Sequence, residues 1–313
     1  MATISTFTFN DGTKIPSVGM GCWMGAAVGL GDRVYEMCLK ALKNGYRHFD
    51  TASKYGNEKQ VGAAIRASGI PRSEIYITTK LENNYRDVCE SFERSLRELD
   101  CEYIDLYLIH WPQHRATSTD YTTKADGHAD FINAWKEMEK LLRSGKVKTI
   151  GVSNFSVKTL NELLPHCTII PAPNQVEMHP CLPQTELKKF CDEKGILLTA
   201  YSPLGRSTVF FDEPIIKAIA ERLTVSPAQV VLSWAVQRGT IVVPKSEDEG
   251  RMTANITLVQ LSSHDMKAID GIHLQPGMHK SLLKYHAPDG TVFGWTYERL
   301  GWNMTTGGLI PTH

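Results

Sequence analysis

Four side chains of the kinds that move protons sit at or just past the ends of three short apolar runs: Asp50, Tyr55, Lys80 and His110. Asp50 ends Tyr46-Arg47-His48-Phe49-Asp50, and Tyr55 follows after one short turn. Lys80 ends the run that begins Ile75-Tyr76-Ile77, and His110 ends the run that begins Ile104-Asp105-Leu106. An acid, a phenol, an amine and an imidazole at strand C-termini are the parts of a proton-transfer site. A free phenol, with a pKa of about 10, is a poor proton donor near neutrality. A neighbouring ammonium stabilises the phenolate, and at ~4 Å and an effective dielectric of ~20 the attraction is about 4 kcal/mol. The expectation is therefore that Lys80 lowers the Tyr55 pKa and Asp50 keeps Lys80 charged. Neutral His110 would then donate one hydrogen bond to a substrate oxygen. Taken singly, each residue has an ordinary structural explanation; their joint placement on one rim is what points to chemistry.

A second cluster, Pro244-Lys245-Ser246 with Arg251 and Asn255, surrounds an expected helix start at Glu247-Asp248-Glu249. Basic and hydroxyl side chains beside a helix N-terminus form an anion site that suits a phosphate. The competing explanation is a solvated charged turn.

These residues need elements to hold them. Phe7, Phe9, Ile15 and Val18 flank Asn10-Asp11-Gly12, which predicts a hairpin over residues 7–18. Helical spacing of apolar residues predicts helices over 32–43, 86–99 and 226–237, the last capped by Ser226 with Pro227 in its first turn. Strands are expected to end near Met20, Asp50, Lys80, His110, Ser153, Val176, Tyr201 and Pro244. Eight strands alternating with helices predict an α/β fold, a (β/α)8 TIM barrel, whose catalytic residues gather at the strand C-termini. An open doubly wound sheet is the alternative, but it would not need eight units. An extra helix is expected over 258–272 and a long C-terminal loop over 274–313. The loop's Phe293, Trp295, Tyr297 and Trp302 either line a pocket or pack the tail onto the barrel. No Pro- or Gly-rich linker interrupts the chain, so residues 1–313 are expected to form a single domain.

Composition narrows the function. The formal net charge is zero, which argues against a nucleic-acid partner. No apolar window approaches a membrane span, and the N-terminus has no leader pattern, so a cytoplasmic protein without a membrane partner is expected. Seven scattered cysteines without a CxxC pair argue against a disulfide framework or zinc knuckle. Cys22 lies beside the candidate site, and packing is its simpler role. Gly19-Met20-Gly21 does not continue as GxGxxG, and Walker, HExxH and GxSxG motifs are absent. A glycosidase would use paired acids such as Asp50 and Glu177, which the lysine and histidine on the same rim suit poorly. His110, His114 and His179 are too dispersed for a metal hydrolase.

The chain resembles the aldo-keto reductase family over nearly its whole length. The resemblance rests on Gly45-Tyr46-Arg47-His48-Phe49-Asp50-Thr51-Ala52, Tyr55-Gly56-Asn57-Glu58 and Leu108-Ile109-His110-Trp111-Pro112. It continues through Ile150-Gly151-Val152-Ser153-Asn154-Phe155, Asn174-Gln175-Val176-Glu177, Tyr201-Ser202-Pro203-Leu204 and Val243-Pro244-Lys245-Ser246. It implies a catalytic tetrad of Asp50, Tyr55, Lys80 and His110, with Tyr55 as general acid, and reduction of aldehydes or ketones by NADPH, which returns NADP+. It further implies that Ser153, Asn154 and Gln175 hold the nicotinamide carboxamide and that Tyr201 stacks on its ring. Ser202, Pro203 and Leu204 would follow the pyrophosphate, with Gly21, Cys22 and Trp23 also beside the cofactor. Lys245, Ser246, Arg251 and Asn255 would meet the adenosine end, the two cations favouring a 2′-phosphate. Trp23, Trp111, Glu82 and Trp295 are the implied walls of a pocket for a small-molecule carbonyl substrate. Three positions depart from the family pattern: Glu82 for an aromatic residue, Ala254 for an acidic one and Arg206 for a small one. The stretch from Tyr201 to Lys245 is short, which implies an abbreviated loop over the cofactor. A monomer or weak dimer is expected. A non-catalytic NADPH-binding sensor on the same barrel is the alternative function, and a nucleotide-independent hydrolase or isomerase is a further one.

Overall fold

The computed structural model describes residues 4–25, 31–82, 87–113, 131–207 and 210–311. His114 and the first residue of the helix expected over 86–99 lie outside them. Two short strands, β1 (Thr6–Thr8) and β2 (Lys14–Pro16), pair antiparallel as the expected hairpin. Eight parallel strands follow: β3 (Met20–Gly21), β4 (His48–Asp50), β5 (Tyr76–Leu81), β6 (Ile104–Ile109), β7 (Val147–Ser153), β8 (Pro173–Glu177), β9 (Leu197–Tyr201) and β10 (Ile241–Val242). Each is hydrogen-bonded to the next in chain order. The ring closes between its first and last members. Val242 N donates to Ser17 O at 2.9 Å, Gly19 N to Val242 O at 2.8 Å and Gly21 N to Pro244 O at 2.9 Å. At this seam a Cβ on Gly21 would lie 2.7 Å from Val243 O, so only glycine allows the close approach. The architecture is the (β/α)8 barrel.

The outer layer comprises α1 (Asp32–Lys43), α2 (Glu58–Ala67), α3 (Val88–Leu99), α4 (Phe131–Leu142), α5 (Val157–Leu163), α6 (Thr185–Glu193), α7 (Pro214–Leu223), α8 (Pro227–Gln237), α9 (Glu249–Ile256) and α10 (Ser263–Asp270). The sequence cues place their starts. Asp87 caps α3 by accepting from Glu90 N, and Ser226 forms a capping box with Gln229 ahead of α8. The helix expected over 258–272 is shorter, because Ser262 caps it and residues 258–261 precede the cap. The tail holds a tight hairpin of β11 (Thr291–Val292) and β12 (Trp295–Thr296), then a one-turn helix, α11 (Tyr297–Leu300).

Alternation along the strands sorts their side chains. Phe49, Ile77, Tyr107 and Ile109 face the helices in one extensive apolar cluster. Leu106, Leu108 and Ile241 point into the barrel and meet Phe9 and Ile15 of the hairpin, which plugs its base. The same period of two carries upward: His48 and Asp50, Thr78 and Lys80, and Leu106, Leu108 and His110 share the inner face. Lower down, His48 Nε2 meets Thr78 Oγ1 at 3.0 Å. One layer higher, Lys80 meets Asp50. All seven cysteines are free. Among the described residues no helix is long and apolar enough to cross a membrane.

Candidate active site

The base of the site is an ion pair. Lys80 Nζ donates to Asp50 Oδ1 at 2.6 Å and to Thr51 O at 2.8 Å, and both ionic side chains are almost wholly buried. Gln175 Nε2 donates to the second Asp50 oxygen at 2.6 Å. With each oxygen of the carboxylate engaged, the pair meets the condition under which buried charges persist. Thr51 Oγ1 donates to Asn57 Oδ1 at 2.7 Å, and Asn57 Nδ2 donates to Cys22 O at 2.8 Å. This ties the end of β4 to the end of β3. Between them a 3-10 turn, Ser53–Tyr55, closes on Gly56 in the left-handed region and lifts Tyr55 over the pair.

Lys80 Nζ lies 5.1 Å from the Tyr55 ring centroid, and His110 stands edge-on to that ring at 5.7 Å. The structure thus brings Asp50, Tyr55, Lys80 and His110 together at one end of the barrel. Burial pushes the Tyr55 phenol well above its usual pKa, and the Asp50 carboxylate adds to the rise. This corrects the lowering expected from Lys80. The ammonium's charge is largely offset by Asp50 and Thr51, so burial outweighs its pull on the phenol. Burial, and then the charges of Lys80 and Lys54, hold His110 well below its ordinary range, so the imidazole is neutral. His110 Nδ1 is buried without a partner.

Asp50, Tyr55 and His110 border a cleft of about 640 Å³, with Lys80 buried beneath it. It runs from Trp111, Tyr285 and Phe293, past Tyr55 and Tyr201, to Leu204, Pro244 and Lys245. Trp23 stands 5.0 Å from Tyr55, ring to ring, and Phe293 sits edge-on to Trp111 at 4.8 Å. Ser153, Asn154 and Gln175 line the middle as a connected set. Asn154 Nδ2 donates to His110 O at 2.9 Å, Tyr201 OH donates to Asn154 Oδ1 at 2.7 Å and Ser153 Oγ donates to Gln175 O at 2.8 Å. Asn154 (φ 65°) and Ser202 (φ 47°) both take the left-handed backbone that L-residues disfavour, at the ends of β7 and β9. Strain of this kind collects at functional sites.

Of the expected residues, Gly21, Trp23, Trp111, Tyr201, Ser202, Pro203, Leu204 and Lys245 also border the cleft; Lys80 is buried beneath it, and six others do not reach it. Cys22 turns its thiol inward to Cys38, where that contact and burial raise its pKa. Glu82 faces away and pairs with Arg94 at 3.3 Å. Trp295 is 3% exposed beneath the Arg299 guanidinium, because the β11–β12 turn points Phe293, not Trp295, at the cleft. Ser246 accepts from Asp248 N, Arg251 is exposed beside Asp248, and Asn255 is buried beside Tyr46. The expected anion site is also more balanced than its cations alone implied. Glu247 takes a bidentate contact from Arg33 and a short one from Lys245. Asp248, not Ser246, caps α9. Residues that sequence reasoning did not single out include Lys54, Lys284 and Tyr285. Lys54 adjoins Tyr55, whereas nothing local marks the other two.

The tail is clamped over the rim by Glu177. Its carboxylate accepts from Ser281 Oγ at 2.5 Å, Leu282 N at 2.6 Å and His179 at 3.1 Å. Burial alone would raise Glu177, but these donors hold it below the usual carboxylate range. His286 links Ser281 Oγ, at 2.8 Å, to Tyr297 OH, at 2.9 Å.

Comparison with known proteins agrees with this geometry. The aldo/keto reductase family model matches residues 18–273. The glycerol 2-dehydrogenase (NADP(+)) of Saccharomyces cerevisiae is 42% identical over 288 residues, covering 86% of this chain and 91% of that protein. The D-galacturonate reductase of Hypocrea jecorina is 40% identical over 307 residues, covering 93% and 98%. The crystal structure of an aldo/keto reductase from Brucella melitensis superposes with a TM-score of 0.76 at 39% identity, covering 86% of this chain and 99% of that one. The chain is an oxidoreductase, and it belongs to the aldo/keto reductase family.

Proposed function

We propose that the chain reduces aldehydes or ketones to alcohols with NADPH, Tyr55 delivering the proton. The observation that carries this reading is the vertical arrangement of the inner face: a buried Lys80–Asp50 pair below, a protonated phenol and a neutral imidazole above, with Asp50, Tyr55 and His110 opening into one cleft. The cleft's donors suit the cofactor. Ser153, Asn154 and Gln175 offer amide and hydroxyl groups at its centre, and Tyr201 offers a ring face. Arg206 and Lys245 supply positive charge toward the end that would take phosphates. A reduced nicotinamide bound there supplies the hydride to the carbonyl carbon.

The protein's part is orientation and proton supply. Trp23 and Trp111 wall the carbonyl between aromatic faces and exclude water. His110, neutral, donates a hydrogen bond from a ring nitrogen to the carbonyl oxygen and polarises it. Tyr55 donates to the same oxygen and gives up its proton as charge develops there. Because the site holds the phenol protonated throughout the neutral range, the donor is loaded before substrate arrives. The Lys80 ammonium, close beneath the ring, then stabilises the phenolate left behind. The relatives named above act, by their names, on glycerol and D-galacturonate, which supports small oxygenated substrates for this chain too.

Tyr55→Phe tests the reading. It should lower kcat by about 10²–10⁴, the usual contribution of a positioned acid. NADPH should still quench tryptophan fluorescence, since Trp23 and Trp111 border the cleft. Unchanged turnover would remove Tyr55 as the acid.

A further inference from the structure

Behind Tyr201 and Asn154 lies a second cavity, of about 670 Å³. One side is the barrel rim where β7 and β8 end, and another is the loop into α6, residues 182–187. The tail supplies much of the rest through His279, Leu283, Trp302, Met304 and Ile310. Asn154, Tyr201 and Leu283 border both this cavity and the cleft, so the 2.7 Å bond from Tyr201 OH to Asn154 Oδ1 is part of the partition. The charges of the lining are mostly committed. Arg238 donates twice to Pro183 O, at 3.1 Å each, and its Nε lies 3.8 Å from Asp270, which also accepts from Trp234 Nε1 at 2.8 Å. Glu177 is held by the tail. Burial, and then His273, keep His279 below its usual range, so that imidazole is neutral. Glu186 stands exposed on the first turn of α6. The mouth is apolar: Leu274 borders the cavity and is 69% exposed, and Leu309, next to Ile310, is 47% exposed.

We infer that this cavity is a second ligand site, that it takes an uncharged, largely apolar small molecule, and that its occupant steadies the Tyr201–Asn154 partition from behind. Its volume falls in the range of roughly 300–1,000 Å³ that small-molecule pockets span. An anion entering it would find Arg238 already engaged and Glu186 at the rim; a cation would find Glu177 and Asp270 already engaged. Either would bury a charge without a partner, which is costly, whereas an apolar body gains by covering Phe155, Leu182, Leu187 and Leu274. Two residues of the partition also border the space that suits the nicotinamide, so ordering them from one side favours binding on the other. That linkage rests on the cofactor reading above; the site itself does not.

The test uses the full chain and the fluorescent probe N-phenylnaphthylamine, which has no carbonyl to reduce, beside its ring-sulfonated analogue, which shares the skeleton and adds a charge. The uncharged probe should brighten saturably at one equivalent, and the sulfonate should bind far more weakly. Leu274→Glu should weaken the probe on the order of tenfold, the worth of an apolar contact replaced by a charge. Met304→Trp, which fills the cavity, should abolish its binding. Both variants should keep wild-type turnover, since neither side chain borders the cleft. Trp23→Ala, in the cleft, should leave the probe unaffected. In calorimetric titrations the saturating probe should tighten NADP+ by about fivefold, and NADP+ should tighten the probe by the same factor. Absence of saturable binding overturns the inference. So does binding that survives Met304→Trp but is lost in Trp23→Ala, which puts the probe in the cleft. A sulfonate that binds as tightly overturns the uncharged class, and an unchanged NADP+ affinity overturns the role of the partition. Failure of NADP+ to bind at all overturns the cofactor reading instead, and leaves the probe titration to decide the site.

Discussion

Glu177→Ala should free the tail while leaving the barrel folded. The carboxylate takes two short hydrogen bonds from the tail, Ser281 Oγ at 2.5 Å and Leu282 N at 2.6 Å, while His179 holds it from the barrel side. A hydrogen bond to a charged group contributes about 1.5–3 kcal/mol, so losing both tail bonds costs about 3–6 kcal/mol of docking. Ser281 keeps His286 as a partner, but the Leu282 amide loses its acceptor. Converted at 1.4 kcal/mol per decade, amide exchange near residues 281–285 should quicken by roughly 10²–10⁴, with β5 and β6 unchanged. Because the same stretch brings Leu283 and Tyr285 to the cleft, the aldehyde KM should rise severalfold while NADPH affinity changes little. The wild-type clamp should also fail in acid. The Glu177 pKa is depressed by folding, so its contribution is present above the unfolded carboxylate value, about 4.3, and is lost as pH falls through the lower folded value. Hydrogen exchange with mass spectrometry reads all of this. Unchanged protection of the tail in Glu177→Ala, or an equal loss in the barrel strands, would refute the clamp.

Two further predictions concern charge. Burial lowers His48 to about 4, so between pH of about 6.5 and that value the unfolded chain binds the extra proton and stability falls with falling pH. The loss should total about 3 kcal/mol at roughly 1.36 kcal/mol per pH unit, and His48→Gln should flatten this part of a denaturant-titration profile; an unaltered slope would show that other groups set it. Glu247 draws both Lys245 and Arg33, so Glu247→Gln should tighten NADPH by up to about fivefold and leave NADH unaffected in fluorescence titrations. Equal shifts for both cofactors would refute that competition.

The barrel was legible because the period of two and the helix caps are local signals. His48, Asp50, Thr78, Lys80 and His110 fall on the inner face by parity alone, and Ser226 and Ser262 mark their helix starts. The seam was less legible, since β3 and β10 are two-residue strands whose pairing joins residues more than 200 apart. At the site, residue types pointed to Tyr55 as a proton donor but gave its pKa the wrong sign. That argument counted the ammonium of Lys80 and omitted both burial and the opposing charge of Asp50. The Lys245 site was misjudged for a similar reason: Glu247, two residues on, cancels much of its field. Choosing between Phe293 and Trp295 required the geometry of a four-residue turn, which aromatic character does not encode. Glu177 could not be matched to Ser281 across 104 positions, because no spacing rule connects a strand end to a tail.

The seam also orders events in time. Asp50, Tyr55, Lys80 and His110 all belong to the first 110 residues, whereas the strand that closes the ring lies at residues 241–242 and Lys245 follows it. During synthesis the reactive groups therefore emerge long before there is a cleft to put them in. A nascent or prematurely terminated chain carries the chemistry but has no finished wall against which to hold a nucleotide. Only once the ribosome has delivered the last parallel strand does Gly21 meet Pro244, so cofactor capture doubles as a report that synthesis has passed the strand that closes the ring.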